Sequence, residues 1–153
     1  MSIDQRIAEL GITLPEPAAP VAAYVPAVEK GGLLHLSGQI SFAEDGSLIK
    51  GRLGEDVDLD GGIAAARRCG IMVLAQIKAA LGSLDRVDRI VKLGVFVNSA
   101  PSFIDQPKVA NGASELMQDV FGEAGRHARS AVGVATLPLG VPVEVDAIVA
   151  VKA

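Results

Sequence analysis

The order of segments, β-β-(β)-α-β-α-β-β, predicts an α+β domain in which two helices cover one face of a mixed β-sheet. Three observations carry that prediction. Apolar residues alternate with period two in the segments before residue 60 and after residue 90, and they switch to helical spacing in two stretches between and among those strands. Half of the 153 residues (50%) are apolar but only 3% are aromatic, and Trp is absent. The core must therefore be built from Ala, Val, Ile and Leu, residues that pack well on strands and under helices.

Residues 1–20 read as an N-terminal extension and residues 21–153 as a single domain. Ser2-Ile3-Asp4 can cap a short amphipathic helix running to about Leu10, and the prolines of Leu14–Pro20 then break regular structure. Strands are expected over Tyr24–Val28 and Leu33–Ile40, joined by a turn at Gly31-Gly32, where positive φ is tolerated. A second turn at Glu44-Asp45-Gly46 leads into a short strand, Ser47–Lys50. From Asp60 the spacing of Ile63, Ala66, Gly70, Val73, Ile77 and Leu81 predicts a helix to about Leu84.

Val91, Leu93, Val95 and Val97 then alternate as a strand, and Pro107 suits the first turn of a second helix. Ala113, Leu116, Met117, Val120 and Phe121 give that helix its apolar stripe, and Gly122 and Gly125 end it. Ser130–Leu137 and Val141–Val151 read as a closing hairpin around Pro138-Leu139-Gly140. Simple antiparallel pairing then sets Gly133 opposite Glu144 and Arg129 opposite Ile148. In that register Arg129 and Glu144 share a face about 13 Å apart, too far for a direct salt bridge. The last strand puts Val143, Val145, Ala147, Val149 and Val151 on one face and Glu144, Asp146, Ile148 and Ala150 on the other. Buried carboxylates are costly under helices, so the mixed second face suits a subunit interface with a polar pocket in it.

Composition excludes several classes of function. A net charge of -4 is wrong for a protein that lives on nucleic acid, which needs a basic stripe to displace counterions. Arg67-Arg68, with Arg86 and Arg89, reads as a solvated helix face. The single cysteine, Cys69, lies in a helical run with no His near it and reads as a structural thiol. The apolar run Ile71–Ala75 is too short to span a bilayer, and the N-terminus lacks a secretory pattern. A cytoplasmic protein without nucleic-acid or membrane partners is expected. No His, Cys or carboxylate group shows metal-ligand spacing, so no metal is expected. His35, between Leu34 and Leu36, reads as an ordinary strand residue, and His127 as part of a solvated loop.

The stretch from Arg129-Ser130 through Leu137-Pro138, Gly140 and Val143-Glu144-Val145-Asp146-Ala147 to Val151 resembles the closing signature of the Rid family (reactive intermediate deaminase, or YjgF-like, with the older label L-PSP endoribonuclease). Tyr24, Leu36-Ser37-Gly38-Gln39, Val95-Phe96-Val97 and Asn111 match further parts of the pattern. The sequence departs from it at His127, where a proline usually stands, and at Ala22-Ala23, in place of Gly-Pro.

The resemblance implies a fold like that of bacterial chorismate mutase, assembled as a homotrimer with clefts between subunits. It also implies hydrolysis of reactive 2-imino or enamine acids to a keto acid and ammonia, without metal or organic cofactor. By the same resemblance Arg129 binds the substrate carboxylate, for which a planar guanidinium is suited, and Glu144 orients the attacking water. Tyr24 and Asn111 line the cleft, with backbone amides near Ser37-Gly38 or Ala131 completing the cradle. A trimeric binder of small carboxylates without turnover is the alternative, although such a binder needs only Arg129. An endoribonuclease is disfavoured by the acidic balance, the scarcity of stacking aromatics and the lack of a His pair.

Overall fold

Both long stretches of helical spacing become helices packed on the same side of one sheet. The computed structural model describes residues 1–17 and 22–153. The end of the proline-rich break expected over Leu14–Pro20, and the boundary expected after residue 20, lie outside the described residues. Helix α1 (Ile3–Glu9) is followed by strands β1 (Ala27–Lys30) and β2 (Leu33–Ile40), helix α2 (Leu59–Leu81), strand β3 (Val87–Asn98), helix α3 (Gln106–Phe121), and strands β4 (Ala128–Val134) and β5 (Val143–Val151).

Local chemistry sets most of these boundaries. Ser2 and Gln5 form a reciprocal capping box that starts α1. Asp58 accepts from the Gly61 amide to start α2, and Gly82, at φ 80°, ends it by returning its amide to Lys78. The helix expected from Asp60 to about Leu84 therefore stops at Leu81, and Leu84 falls in a short 3-10 turn. Gly31 and Gly32 both take positive φ in the hairpin turn that pairs Lys30 with Leu33. The first strand begins at Ala27 rather than Tyr24, which sits in bends before it. The short strand expected over Ser47–Lys50 is reduced to a single bridge, Phe42 to Leu48.

The sheet is mixed, in the order β1-β2-β5-β3-β4. The expected closing hairpin does not form. β5 pairs antiparallel with β2 on one side and β3 on the other, while β4 lies parallel to β3 at the far edge. Helix α3 is thus the crossover of a βαβ unit, the connection that a parallel pair requires. The link from β4 to β5 passes around the end of β3 at Asn98. There Asn98 donates its amide to Pro142 O and its side-chain nitrogen to Val141 O, while Arg52 bonds Asn98 Oδ1 and Ala135 O.

The core lies between the sheet and the two helices. Val143, Val145, Ala147 and Val149 of β5, with Leu93, Val95 and Val97 of β3, meet Ala66, Cys69, Val73 and Ile77 of α2 and Val109, Ala113, Leu116 and Met117 of α3. The expected alternation along β5 is seen from Val143 to Val149, since Glu144, Asp146 and Ile148 lie half-buried on the opposite, helix-free face. Cys69 is buried, its Sγ is 3.2 Å from the Val143 carbonyl oxygen, and burial pushes its thiol far up, away from any reactive thiolate. Helix α1 folds down onto this body. Ile7 is buried, Arg6 Nε donates to Asp119 O at 2.8 Å, and Lys78 pairs with Asp4 at 3.1 Å. Among the described residues no helix is long and apolar enough to cross a membrane.

The helices approach closely because Gly112 of α3 has no side chain. A Cβ placed there would lie 2.1 Å from the Ile63 carbonyl oxygen of α2. Backbone cannot yield as a flexible side chain can, so Gly112→Ala must separate the helices. A loss at the upper end of the roughly 1–3 kcal/mol typical of overpacking is expected. An unshifted urea midpoint for this variant would show that the helices part without cost.

Candidate active site

Arg129 stands on the edge strand β4, in register with Leu93 of β3 and, through it, with Ala147 of β5. Leu93 and Ala147 are buried, so this row points to the helix side. There Arg129 Nη1 donates to Asn111 Oδ1 at 2.8 Å and to Ser114 Oγ at 3.1 Å. Asn111 and Ser114 are three residues apart on α3 and so share one face of that helix. Ser114 Oγ is 2.9 Å from His127 Nε2, and His127 Nδ1 is 2.7 Å from the Gly125 carbonyl oxygen. These groups line a cleft of about 340 Å³ together with Glu115, Gln118 and Arg126. Among the described residues no carboxylate pairs with Arg129.

A carbonyl oxygen only accepts, so His127 Nδ1 carries the proton, and in the neutral ring Nε2 accepts from the Ser114 hydroxyl. Burial, with a smaller contribution from the Arg129 charge, holds the His127 pKa below its ordinary 6.5. The expectation of a solvated loop at His127 is therefore overturned, because the ring is half-buried and both nitrogens are engaged. A group whose pKa falls on folding takes up its proton more readily in the unfolded chain. Its contribution to stability is present above pH 6.5 and is lost as the pH drops below that value. Replacing His127 with Gln, which does not titrate, is expected to flatten the loss of stability just below pH 6.5. Identical pH–stability curves for the two proteins would count against this.

Glu144 lies on the other face of the sheet. It is set between Ile40 of β2 and Phe96 of β3, three positions along β5 from Ala147, so it alternates away from the helices. The expectation that Arg129 and Glu144 share a face fails, because β3 separates the two strands that were expected to pair. The helix-free position of Glu144 agrees with the sequence reading. Gly38, beside the bulge between Leu36 and Gln39, leaves room for its carboxylate, since a Cβ there would meet Glu144 Oε2 at 2.7 Å. Burial first, and the neighbouring Asp146 second, raise the Glu144 pKa above its usual value.

The remaining site candidates divide between these two places. Ala131 follows Arg129 on the helix side of β4 and packs against the core. Ser37 gives its amide to Pro26 O at 2.9 Å and its hydroxyl to Val25 O at 2.7 Å, so both donors hold the segment before β1 rather than standing free. That segment carries Tyr24, which is 58% exposed. The candidates thus fall into two groups in one subunit: Arg129 and Asn111 at the β4 edge, and Glu144, Gly38, Ser37 and Tyr24 towards β2 and β1. Ser114 and His127, which the structure brings up to Arg129, were not among the sequence candidates. The Asn111-x-x-Ser114 spacing on a helix was the available signal for the first.

The sequence profile of the family described as "YjgF/chorismate_mutase-like, putative endoribonuclease" matches residues 4–149. Protein TCP17 of Trypanosoma cruzi is 56% identical over 145 residues, covering 94% of this chain and 91% of its own. The crystal structure of Atu1372 from Agrobacterium tumefaciens superposes with a TM-score of 0.90 at 46% identity, covering 99% of this chain and 94% of that one. A 2-iminobutanoate/2-iminopropanoate deaminase of Dermatophagoides farinae is 28% identical over 142 residues, covering 92% of this chain and 95% of its own.

Proposed function

This chain belongs to the YjgF, or Rid, family, and from that premise we propose that it hydrolyses small 2-imino or enamine acids to a keto acid and ammonia, in clefts formed between the subunits of a homotrimer. The observation that carries this reading is the Arg129 guanidinium in an open polar cleft, with no carboxylate partner among the described residues. Its Nη1 is held by Asn111 and Ser114, which leaves the Nε–Nη2 edge to grip a carboxylate with two parallel hydrogen bonds. Glu144 supplies the second function. A carboxylate whose pKa is raised by burial is a stronger base near neutrality, suited to take a proton as water adds to the C=N carbon. The adduct then expels ammonia and leaves the ketone. The family likeness to the D. farinae deaminase supports the same chemistry.

The division of the site supports an assembly of this kind. Arg129 and Glu144 point to opposite faces of one sheet, so a single subunit cannot bring them together on one small substrate. A head-to-tail contact between the β4 edge of one copy and the β5-β2 face of the next joins the halves, and three such contacts close a ring. Val28 and Val132, both exposed in the isolated chain, offer apolar surface for it. Light scattering is expected to give the mass of three chains at micromolar concentration, and a stable monomer would dismantle the clefts. The function itself is tested by keto-acid release from freshly generated 2-iminobutanoate. Binding of 2-oxobutanoate without accelerated release would favour a non-catalytic binder.

A further inference from the structure

Arg129 is braced from one side by a directed chain of hydrogen bonds. Ser114 Oγ accepts from Arg129 Nη1 at 3.1 Å, and its own hydrogen is free to turn to His127 Nε2 at 2.9 Å. That acceptor exists only because His127 Nδ1–H is committed to the Gly125 carbonyl at 2.7 Å. Gly125 itself packs closely against the end of α3, where an added Cβ would lie 2.0 Å from Met117 O. The chain therefore runs Arg129 to Ser114 to His127 to a backbone carbonyl, with every proton assigned. Asn111 Oδ1 takes the other Nη1 hydrogen at 2.8 Å. Among the described residues no acceptor meets Nε or Nη2.

We propose that His127 is a positioning residue, which acts through Ser114 to fix Nη1 of Arg129 and so present the Nε–Nη2 edge to a substrate carboxylate. This rests on the reading of Arg129 as the carboxylate anchor and gives it a mechanism. An arginine carries considerable rotamer entropy, and freezing the guanidinium before binding removes that cost from association. A proline at position 127 could not serve, because it offers no side-chain acceptor. His127 does not contact the reacting atoms, and its role is expressed in affinity rather than in the chemical step.

The test uses the full chain, with 2-oxobutanoate binding measured by calorimetry and imino-acid hydrolysis by keto-acid release. Ser114→Ala and His127→Phe are each expected to weaken binding on the order of five- to tenfold, the worth of one hydrogen bond, and to raise KM with kcat nearly unchanged. His127→Gln, which restores an acceptor for Ser114, should recover most of the affinity. The double variant Ser114→Ala/His127→Phe should bind no worse than the weaker single variant, because both changes break the same chain. Losses that simply add, or full affinity in His127→Phe, would overturn the proposal. Arg129→Lys on the same probe keeps the two levels apart. If it binds like the parent protein, the carboxylate anchor itself is misassigned; if it fails while His127→Phe binds normally, only the bracing role is removed.

Discussion

Glu144→Gln is expected to slow imino-acid hydrolysis by about 10²- to 10⁴-fold, the usual worth of a positioned general base. Glutamine keeps the shape of the side chain and its fit against Gly38, where there is no space for a Cβ. Carboxylate binding, which the proposed mechanism assigns to Arg129, should survive. So should the assembly. The same change is expected to stabilise the fold at neutral pH, because burial and the adjacent Asp146 both disfavour the ionised carboxylate. The sign follows from linkage: a carboxyl whose pKa is raised on folding favours the native state in acid and costs stability as the pH rises through its titration. A variant that is slower yet melts higher would identify Glu144 as a group retained for chemistry at the expense of stability. An unchanged rate would remove it from the mechanism.

Arg129→Lys is the second large effect, expected to reduce kcat/KM by about 10²-fold or more through loss of a two-pronged, charge-assisted contact. Lysine keeps the charge and much of the length, so the result separates geometry from simple electrostatic attraction. An ammonium can point at a carboxylate, but it cannot meet Asn111 and Ser114 on one side and present a planar edge on the other. Because Arg129 lies on an edge strand and forms no ion pair among the described residues, the fold should be little disturbed. Kinetics indistinguishable from those of the parent chain would place the substrate carboxylate elsewhere.

The periodic parts of this molecule were legible before the structure. The α2 stripe and the alternation along β5 each depend only on which side of an element meets the core; the stripe is buried from Ala66 to Leu81, with Ile63 only half-buried, and the β5 alternation holds from Val143 to Val149. Strand order was harder to read. Pro138-Leu139-Gly140 suits either a tight hairpin or a link passing around a neighbouring strand, and the hairpin was the simpler choice. The correct signal was nonetheless present. A strand, a helix and a strand in succession, here β3, α3 and β4, form the unit that yields parallel neighbours. Reading it would have placed Arg129 beside α3 and within reach of Asn111 and Ser114.

The site divided along the same line. Arg129 and Glu144 were singled out by resemblance, whereas their relative placement depended on topology. His127 could not be valued from its neighbours in sequence, because its partner Ser114 becomes a neighbour only once β4 has docked beside α3. Gly112 and Gly125 are similar cases. Each reads locally as a weak or terminating helix residue, and each is required by a backbone that arrives from elsewhere.

The opposite-face placement of Arg129 and Glu144 also bears on inheritance. In the proposed ring, with its sites shared between neighbours, a defective Arg129 half and a defective Glu144 half can come from different alleles. A cell expressing both kinds of chain would assemble mixed rings, in which some clefts pair the intact half of one product with the intact half of the other. Two mutations that are each inactivating alone would then complement within a single polypeptide species, while two lesions in the same half would not.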